Sequence, residues 1–173
     1  MAMSKKEKIE IIITGGTIDS YYESTKDTVV PLKKSSIPDF IKSLKTKYTF
    51  IFNEVAMKDS RYLTESDLRN ILKSVEKSKA KQIIITHGTY TMTKTALFLE
   101  SKLRRKDQVV ILTGSMIPLN GFTPSDAPFN LGYSIASFKN LNPGIYVCMN
   151  GQIFNPKKVT KRIDEGRFVS KNK

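Results

Sequence analysis

The chain has 173 residues, 39% of them hydrophobic, which is typical of one globular domain with its own core. Its formal net charge is +13, but the lysines are scattered and no nucleic-acid motif accompanies them, so we expect a solvated basic surface and no nucleic-acid partner. No apolar run reaches the roughly 20 residues that span a bilayer, and no secretory signal follows the charged start. We therefore expect a cytoplasmic protein without a membrane partner.

Apolar runs and helical patterns alternate along the chain. The five runs are Ile9–Thr14, Tyr48–Val55, Gln82–Thr86, Gln108–Thr113 and Gly144–Met149. Helices are predicted at residues 35–45, 64–77, 92–103 and 125–139, and Thr64 with Asp67 resembles a capping box at the start of the second. This alternation predicts a three-layer α/β/α sandwich with a mostly parallel, flavodoxin-like sheet. Residues 1–173 are expected to form a single domain with flexible ends at 1–8 and 170–173, and residues 150–159 a short extra strand or hairpin.

Two residue types that often carry chemistry occur only once each. Cys148 lies in the apolar run IYVCM, which favours a small buried hydrophobe and excludes an internal disulfide. His87 follows a strand, where a hydrogen-bonded structural histidine is more common than a general base. The sequence has no metal-ligand cluster and no nucleotide-binding glycine motif, so we expect neither a metal nor a cofactor.

The first four predicted strands each end in a cluster of small polar residues. The clusters are TGGTID at 14–19, MKDSRY at 57–62, THGTYT at 86–91 and TGSMIP at 113–118. Ligands of open α/β sheets bind beyond the carboxyl ends of the strands, where the strand order reverses. In a flavodoxin-like order that point lies between the first and third strands, so Thr17 and Thr89 are predicted to share one crevice.

Each of these polar residues also has a purely structural interpretation. The glycines before Thr17 are typical of a tight turn, and a threonine is a weak nucleophile unless a partner removes its proton. Thr89 is a candidate N-cap for the following helix, and so is Thr91. Asp59 and Ser60 have the chemistry to recognise an ammonium and a carboxylate, or to cap the next helix.

An ordered set of motifs resembles the bacterial asparaginase/glutaminase family. The set comprises TGGTI at 14–18, THGT and TM at 86–92, LTGSM and P at 112–118, SDAPFNL at 125–131 and VTK at 159–161. The stretch DSRYLTESD and the end NGQIFNP further resemble short, single-domain asparaginases, which are similar to only the N-terminal domain of the longer enzymes. The resemblance implies a cofactor-independent amidohydrolase that converts L-asparagine to L-aspartate and ammonia, working as a homo-oligomer, a dimer or a tetramer.

Four catalytic residues are implied by the same resemblance. Thr17 matches the nucleophile that forms an acyl-enzyme, and Tyr22 matches the loop tyrosine that assists it, with Tyr21 as the neighbouring alternative. Thr89 matches the second catalytic threonine, and Lys161 the lysine that polarises it. A lysine beside Thr89 needs a lowered pKa to act as a base.

Substrate contacts are implied at six further positions: Gly16, Asp59, Ser60, Gly88, Tyr90 and Ser115. Ser60 matches a residue that contacts the substrate α-carboxylate, with Asp59 beside it. Ser115 falls where the family's backbone approaches the scissile amide. Backbone N–H groups of the glycine turns are suited to stabilising an oxyanion.

Tyr90 departs from the family, which usually reads THGTDT with the aspartate holding the α-ammonium of the substrate. A phenol has no negative charge to balance an ammonium at neutral pH. Three alternatives follow. Asp59 or another carboxylate takes over, the substrate is an amide without a free α-amino group, or the chain is a weak or binding-only homologue. The longer enzymes also borrow residues from a neighbouring C-terminal domain, so any borrowed contact here must come from another copy of this domain.

Overall fold

The structure is a computed structural model that describes residues 7–171. Residues 1–6 and 172–173, which belong to the ends expected to be flexible, lie outside this range. Within those expected flexible ends, Lys8 begins the first strand and Ser170 ends the last.

The described residues form strands and helices in this order: β1 (Lys8–Gly15), β2 (Ser20–Glu23), β3 (Thr28–Pro31), α1 (Ile37–Ser43), β4 (Thr49–Lys58), α2 (Glu65–Lys77), β5 (Gln82–Thr86), α3 (Met92–Lys102), β6 (Val109–Thr113), α4 (Ala127–Ser137), β7 (Gly144–Met149), β8 (Gln152–Phe154), β9 (Val159–Arg162) and β10 (Arg167–Ser170). Every predicted apolar run therefore contains a strand, and every predicted helix is present. α1 and α4 are each two residues shorter at both ends than predicted.

The main sheet has the strand order β4-β1-β5-β6-β7-β8. Its first five strands are parallel, and β8 is antiparallel to β7. The predicted flavodoxin-like order is thus confirmed, as is the short extra strand after Met149. β1 lies between β4 and β5, so the loops that follow these three strands emerge side by side at one edge of the sheet.

Alternate residues of the strands face two separate helical layers, because successive side chains of a strand point to opposite faces. Ile12, Ile85 and Leu112 pack with residues of α2 and α3 in one buried cluster. Ile11 and Ile84 pack with residues of α1 and α4 in the other. The three-layer sandwich is therefore confirmed.

Cys148 is fully buried in the second cluster, as predicted. Burial raises the pKa of its thiol to about 11, which keeps it protonated and unreactive at neutral pH. The capping box predicted for α2 is also present: the Thr64 hydroxyl accepts from the Asp67 N–H, and the Asp67 carboxylate accepts from the Thr64 N–H.

Two hairpins were not predicted from the sequence. β2 and β3 form one immediately after the first polar cluster, and β9 and β10 form the other near the end of the chain. Their strands have four residues each and are only partly buried, so they lack the continuous buried apolar run that marked the main sheet. Between residues 7 and 171, no helix combines the length and apolar character needed to cross a membrane.

Candidate active site

Close backbone contact joins the loops after β1, β4 and β5. Gly16 has φ +84°, and a Cβ added there would lie 2.4 Å from the nitrogen and Cα of Gly88. The Gly16 N–H also donates to the Lys58 carbonyl at 2.9 Å. Only a residue without a side chain fits between these loops. The two glycines of TGGT therefore form a turn that presses the Thr17 loop onto the Thr89 loop.

Thr17 begins a short 3₁₀ turn at this junction, covering Thr17–Asp19. Its side chain is half-buried. Within the described part of the chain, its hydroxyl takes part in no hydrogen bond. The hydroxyl is therefore held on a fixed backbone yet remains available to a ligand.

Asp19 anchors the turn from behind. It is fully buried, and its carboxylate accepts from the Ser35 hydroxyl at 2.6 Å and from the Ser36 N–H at 2.8 Å. Burial raises the pKa of this carboxyl, and the hydrogen bonds from Ser35 and Ser36 oppose the shift. The Asp19 N–H donates back to Gly16, so one residue ties the Thr17 turn to the segment before α1.

His87 holds the backbone of the second loop. Its Nδ1 lies 2.8 Å from the Gly88 carbonyl, which can only accept, so Nδ1 carries the proton. Nε2 then accepts from the Thr95 hydroxyl at 2.9 Å. Burial lowers the pKa of His87 to about 4, so the ring is neutral. The predicted structural role is confirmed.

Lys161, on β9, reaches Thr89 across 72 residues of sequence. Its Nζ lies 2.7 Å from the Thr89 hydroxyl oxygen, and Thr89 itself is buried. Burial lowers the pKa of Lys161, the positive charge of Arg61 lowers it further, and Asp59 opposes both effects. This pair therefore contains a hydroxyl beside an amine whose proton is held less tightly than in water.

The α3 N-cap position is occupied by Thr91 and not by Thr89. The Thr91 hydroxyl donates to the Ser60 carbonyl at 2.9 Å, and the Thr91 N–H donates to the Ser60 hydroxyl at 3.3 Å. Ser60 is buried, and its Oγ would lie 2.6 Å from a Cβ added at Gly88. The Thr89 hydroxyl is thus left to Lys161, and Ser60 is held beside the junction of the two loops.

Asp59 is already engaged by Arg61. The Asp59 carboxylate accepts from the Arg61 N–H at 2.8 Å, from Nη2 at 2.7 Å and from Nε at 3.1 Å. The side-chain bond from Arg61 is the largest cause of a lowered pKa at Asp59, although burial partly opposes it. Asp59 also caps the short 3₁₀ turn Ser60–Tyr62. It does not cap α2, whose N-cap is Thr64.

Tyr90 lies between two cations. The Arg61 guanidinium carbon is 4.7 Å and the Lys161 Nζ 4.2 Å from the centre of its ring. The Tyr90 side chain is 55% exposed. Cations at these distances are attracted to the negative face of an aromatic ring. Tyr90 therefore links the Asp59–Arg61 pair to the Thr89–Lys161 pair.

Ser115 lies in the loop after β6 and is buried. Its hydroxyl donates to the Ile117 carbonyl at 2.6 Å. Asp126 accepts from the N–H groups of Met116 and Ile117 at 3.0 and 2.9 Å, and Asn130 donates to the Gly114 carbonyl. This loop is therefore fixed by the start of α4.

The two candidate loop tyrosines lie on the β2–β3 hairpin. The Tyr22 hydroxyl donates to Asp27 at 2.5 Å and the Tyr21 hydroxyl to Glu23 at 3.0 Å, both at the surface. These bonds raise the pKa of both phenols. In this conformation neither hydroxyl is hydrogen-bonded to Thr17.

A family model described as "Asparaginase, N-terminal" matches residues 8–167. The chain belongs to the asparaginase family. It is 30% identical over 171 residues to the glutaminase-asparaginase of Acinetobacter glutaminasificans, with 92% of this chain and 51% of that protein covered. It is 28% identical to L-asparaginase 2 of Escherichia coli K12, covering 95% and 49%. The chain thus spans about half the length of the curated relatives it matches.

Solved asparaginase structures share the fold. A probable cytoplasmic L-asparaginase from Campylobacter jejuni superposes with a TM-score of 0.81 at 27% identity, covering 95% of this chain and 53% of that one. The thermostable L-asparaginase from Thermococcus kodakarensis gives a TM-score of 0.79 at 27% identity, covering 94% and 51%. The residues matched by the family model, 8–167, include the crevice described above.

The asparaginase-family residues predicted from the sequence fall into two groups in the structure. One group is brought together by direct contacts: Gly16, Asp59, Ser60, Gly88, Thr89, Tyr90 and Lys161. The other comprises Tyr22 and Ser115, whose hydroxyls are bonded to other parts of the chain, and Thr17, whose backbone joins the first group through Gly16. The individual roles of all these residues stay predictions.

Three residues that shape this asparaginase-family site were not found by sequence reasoning. Arg61 belongs to the motif DSRYLTESD, but only the structure shows that it pairs with Asp59 and lies over the ring of Tyr90. Asp19 and Asp126 each accept backbone N–H groups from a distant loop. For Asp19, the available signal was its position beside the two glycines of TGGTID, although its hydrogen-bond partners could not be predicted from the sequence.

Proposed function

We propose that this asparaginase-family chain hydrolyses a primary carboxamide through an acyl-enzyme on Thr17. L-asparagine is the leading substrate, because its curated relatives are named for asparaginase activity. The observation that carries the proposal is the Lys161–Thr89 hydrogen bond of 2.7 Å, in a loop pressed by Gly16 against the Thr17 turn. The Lys161–Thr89 pair supplies a proton acceptor on the loop that contacts the Thr17 turn.

In the first step, the Thr17 oxygen attacks the amide carbon and its proton passes to the departing nitrogen, so that ammonia leaves as the C–N bond breaks. Water then attacks the resulting ester, releasing the carboxylic acid and restoring the Thr17 hydroxyl. The developing oxyanion accepts hydrogen bonds from backbone N–H groups of the loop junction. A single donor of this kind contributes about 3 kcal/mol to transition-state stabilisation.

Lys161 and Thr89 act in proton transfer. Burial and the field of Arg61 favour the neutral amine of Lys161, which then accepts the proton of the Thr89 hydroxyl. Thr89 in turn accepts a proton from the attacking group, and the proton held on Lys161 returns by the same path to the departing nitrogen in the first step and to the Thr17 oxygen in the second. In this scheme Tyr22 assists Thr17 only after the β2–β3 hairpin moves and the Tyr22–Asp27 bond breaks.

The cellular setting is part of the proposal. We infer a cytoplasmic homo-oligomer, a dimer or a tetramer, in which a second copy completes the site. The likeness to a protein named as a probable cytoplasmic L-asparaginase supports the location.

Ammonia release from purified protein tests the function. We expect release from L-asparagine, complete loss in Thr17→Ala, and no loss in Thr46→Ala, which removes a hydroxyl from an exposed position far along the chain. Absence of ammonia from L-asparagine, L-glutamine and simple amides would sink the proposal. Stabilisation by L-asparagine without ammonia release would indicate a binding-only homologue.

A second candidate substrate is an amide that lacks a free α-amino group. Tyr90 favours it, because this residue replaces the family aspartate that holds the α-ammonium. Introducing that carboxylate with Tyr90→Asp should raise turnover of L-asparagine sharply. No gain would count against this candidate.

A further inference from the structure

Within residues 7–171, the side chains around Tyr90 include two basic groups and no carboxylate that lacks a partner. Arg61 and Lys161 both lie against its ring, whereas the nearby carboxylate of Asp59 has both oxygens bonded to Arg61.

A substrate ammonium finds no free partner in this place. To reach Asp59 it would have to displace a guanidinium whose Nε and Nη2 make three hydrogen bonds to the same carboxylate. It would also lie beside the positive charge of Arg61, and beside that of Lys161 whenever the lysine is protonated. Like charges in a partly desolvated site repel, so this position disfavours a ligand cation.

A substrate carboxylate finds two donors on the same 3₁₀ turn. The Ser60 oxygen accepts from the Thr91 N–H, which leaves the Ser60 proton for a ligand. Within residues 7–171, Arg61 uses its backbone N–H, Nε and Nη2 on Asp59 and leaves Nη1 without a hydrogen bond. A hydroxyl and a guanidinium side by side are a common arrangement for binding a carboxylate.

We propose that this site selects a primary amide that carries a carboxylate and no α-ammonium, and that Arg61 sets this selectivity. The proposal rests on the amidohydrolase function proposed above. The substrate class is the monoamides of short dicarboxylic acids. Arg61 acts twice, because it neutralises Asp59 as an ammonium partner and attracts the carboxylate.

Three amides that differ by one group each test this selectivity in ammonia-release kinetics on the purified full chain. Succinamate is L-asparagine without its amino group, and butyramide replaces the succinamate carboxylate with a methyl. We expect kcat/KM for succinamate to exceed the values for both others by about tenfold or more, as expected for one charged contact. Equal or faster turnover of L-asparagine overturns the proposal and leaves the amidohydrolase function standing.

Arg61→Gln tests the assigned residue. We expect the succinamate-to-asparagine ratio of kcat/KM to fall about tenfold, mainly through KM, because the cation is lost and Asp59 is freed. Arg61→Lys should retain most of the preference. Arg69→Gln is the matched control, since Arg69 pairs with Glu65 on the surface of α2 and should leave the ratio unchanged. An unchanged ratio in Arg61→Gln overturns the assignment.

Failure of the chemistry can be separated from failure of the selectivity. If wild-type protein releases no ammonia from any of the three amides, the proposed function fails. The selectivity is then decided by thermal unfolding in the presence of each amide. A larger rise in Tm with succinamate than with L-asparagine supports it, and an equal or smaller rise overturns it.

Discussion

Two halves of the candidate site are built in different ways. The threonine half, which comprises Gly16, Thr17, Gly88 and Thr89, is fixed by buried backbone contact and by a glycine with positive φ. The charged half, which comprises Asp59, Arg61 and Tyr90, consists of side chains that are partly or largely exposed. Lys161 touches both, since it bonds Thr89 and lies over Tyr90.

This difference indicates which half can change without loss of the fold. A side chain at Gly16 would collide with the neighbouring loop, so the threonine half is constrained by packing. Exposed ion pairs contribute little to stability, so we expect substitutions in the charged half to leave the fold intact. Tyr90 belongs to the charged half, so we expect a substitution there to leave the packing of the threonine half intact.

The largest effect is expected where the two halves meet, at Lys161. Lys161→Met removes the proton acceptor of Thr89, and we expect kcat for ammonia release to fall about 10³-fold. Lys157→Met is the matched control, because Lys157 pairs with Glu100 on the surface. A Lys161→Met enzyme with more than a tenth of the wild-type kcat would remove Lys161 from the chemistry.

Packing in the threonine half can be tested with two glycines of similar φ. Gly16 has φ +84° and no room for a Cβ, whereas Gly121 has φ +80° with nothing within 4 Å. We expect Gly121→Ala to lower the free energy of unfolding by about 1 kcal/mol, the cost of a left-handed conformation. Gly16→Ala should cost about 3 kcal/mol, because the Cβ has no room and φ +84° with ψ −174° is a conformation nearly confined to glycine, and it should also reduce ammonia release.

Chemical denaturation and kinetics on both glycine variants decide the matter. Equal losses of stability would mean that backbone conformation alone explains Gly16. Normal ammonia release in Gly16→Ala would mean that the contact with Gly88 does not position Thr17.

His87, which is buried and holds the loop of the threonine half, should make the free energy of unfolding depend on pH. Its folded-state pKa is about 4, against 6.5 for an unperturbed histidine, so protonation favours the unfolded chain. The stabilising effect is complete above pH 6.5 and is lost as pH falls toward 4, by about 3 kcal/mol in all. His87→Gln should flatten the dependence of unfolding free energy on pH over this window. An equally steep dependence in the variant would assign it to other groups.

Much of the fold followed from the sequence because its signals are local. Five buried runs rich in isoleucine and valine mark the main sheet, and the Thr64–Asp67 capping box marks the start of α2. The β2–β3 and β9–β10 hairpins gave no such signal, since their short, only partly buried strands resemble loops. The order of the strands was predicted because parallel strands joined by helices allow few arrangements.

Site residues that lie in recognisable motifs were predicted from the sequence. Contacts that depend on the conformation of a side chain were not. TGGT and THGT pointed to Thr17 and Thr89, and the strand order brings their loops together. The state of Asp59 was not readable, because it depends on how the Arg61 side chain folds back. The pairing of Lys161 with Thr89 was implied by the VTK motif of the family resemblance, and the structure places the two side chains in hydrogen-bond contact.

The smallest expected effect is a shift in the pH profile of kcat, caused by the influence of the charged half on the pKa of Lys161. Arg61 lowers this pKa and Asp59 raises it, and the neutral amine is the active form in the proposed mechanism. Loss of Arg61 therefore raises the pKa, and the acidic limb of the kcat profile moves to higher pH in Arg61→Gln. Asp59→Asn moves it to lower pH. Each shift should be small, because it comes from one solvent-screened charge.

Opposite shifts in these two variants, with no shift in Arg69→Gln, would show that the charged half tunes the base of the threonine half. Shifts in the same direction would instead indicate a general disturbance of the Ser60–Tyr62 turn. If neither variant moves the limb while Lys161→Met still abolishes turnover, the group titrating in kcat is not Lys161. The lysine would then act as a fixed hydrogen-bond donor to Thr89, and the two halves would be electrostatically independent.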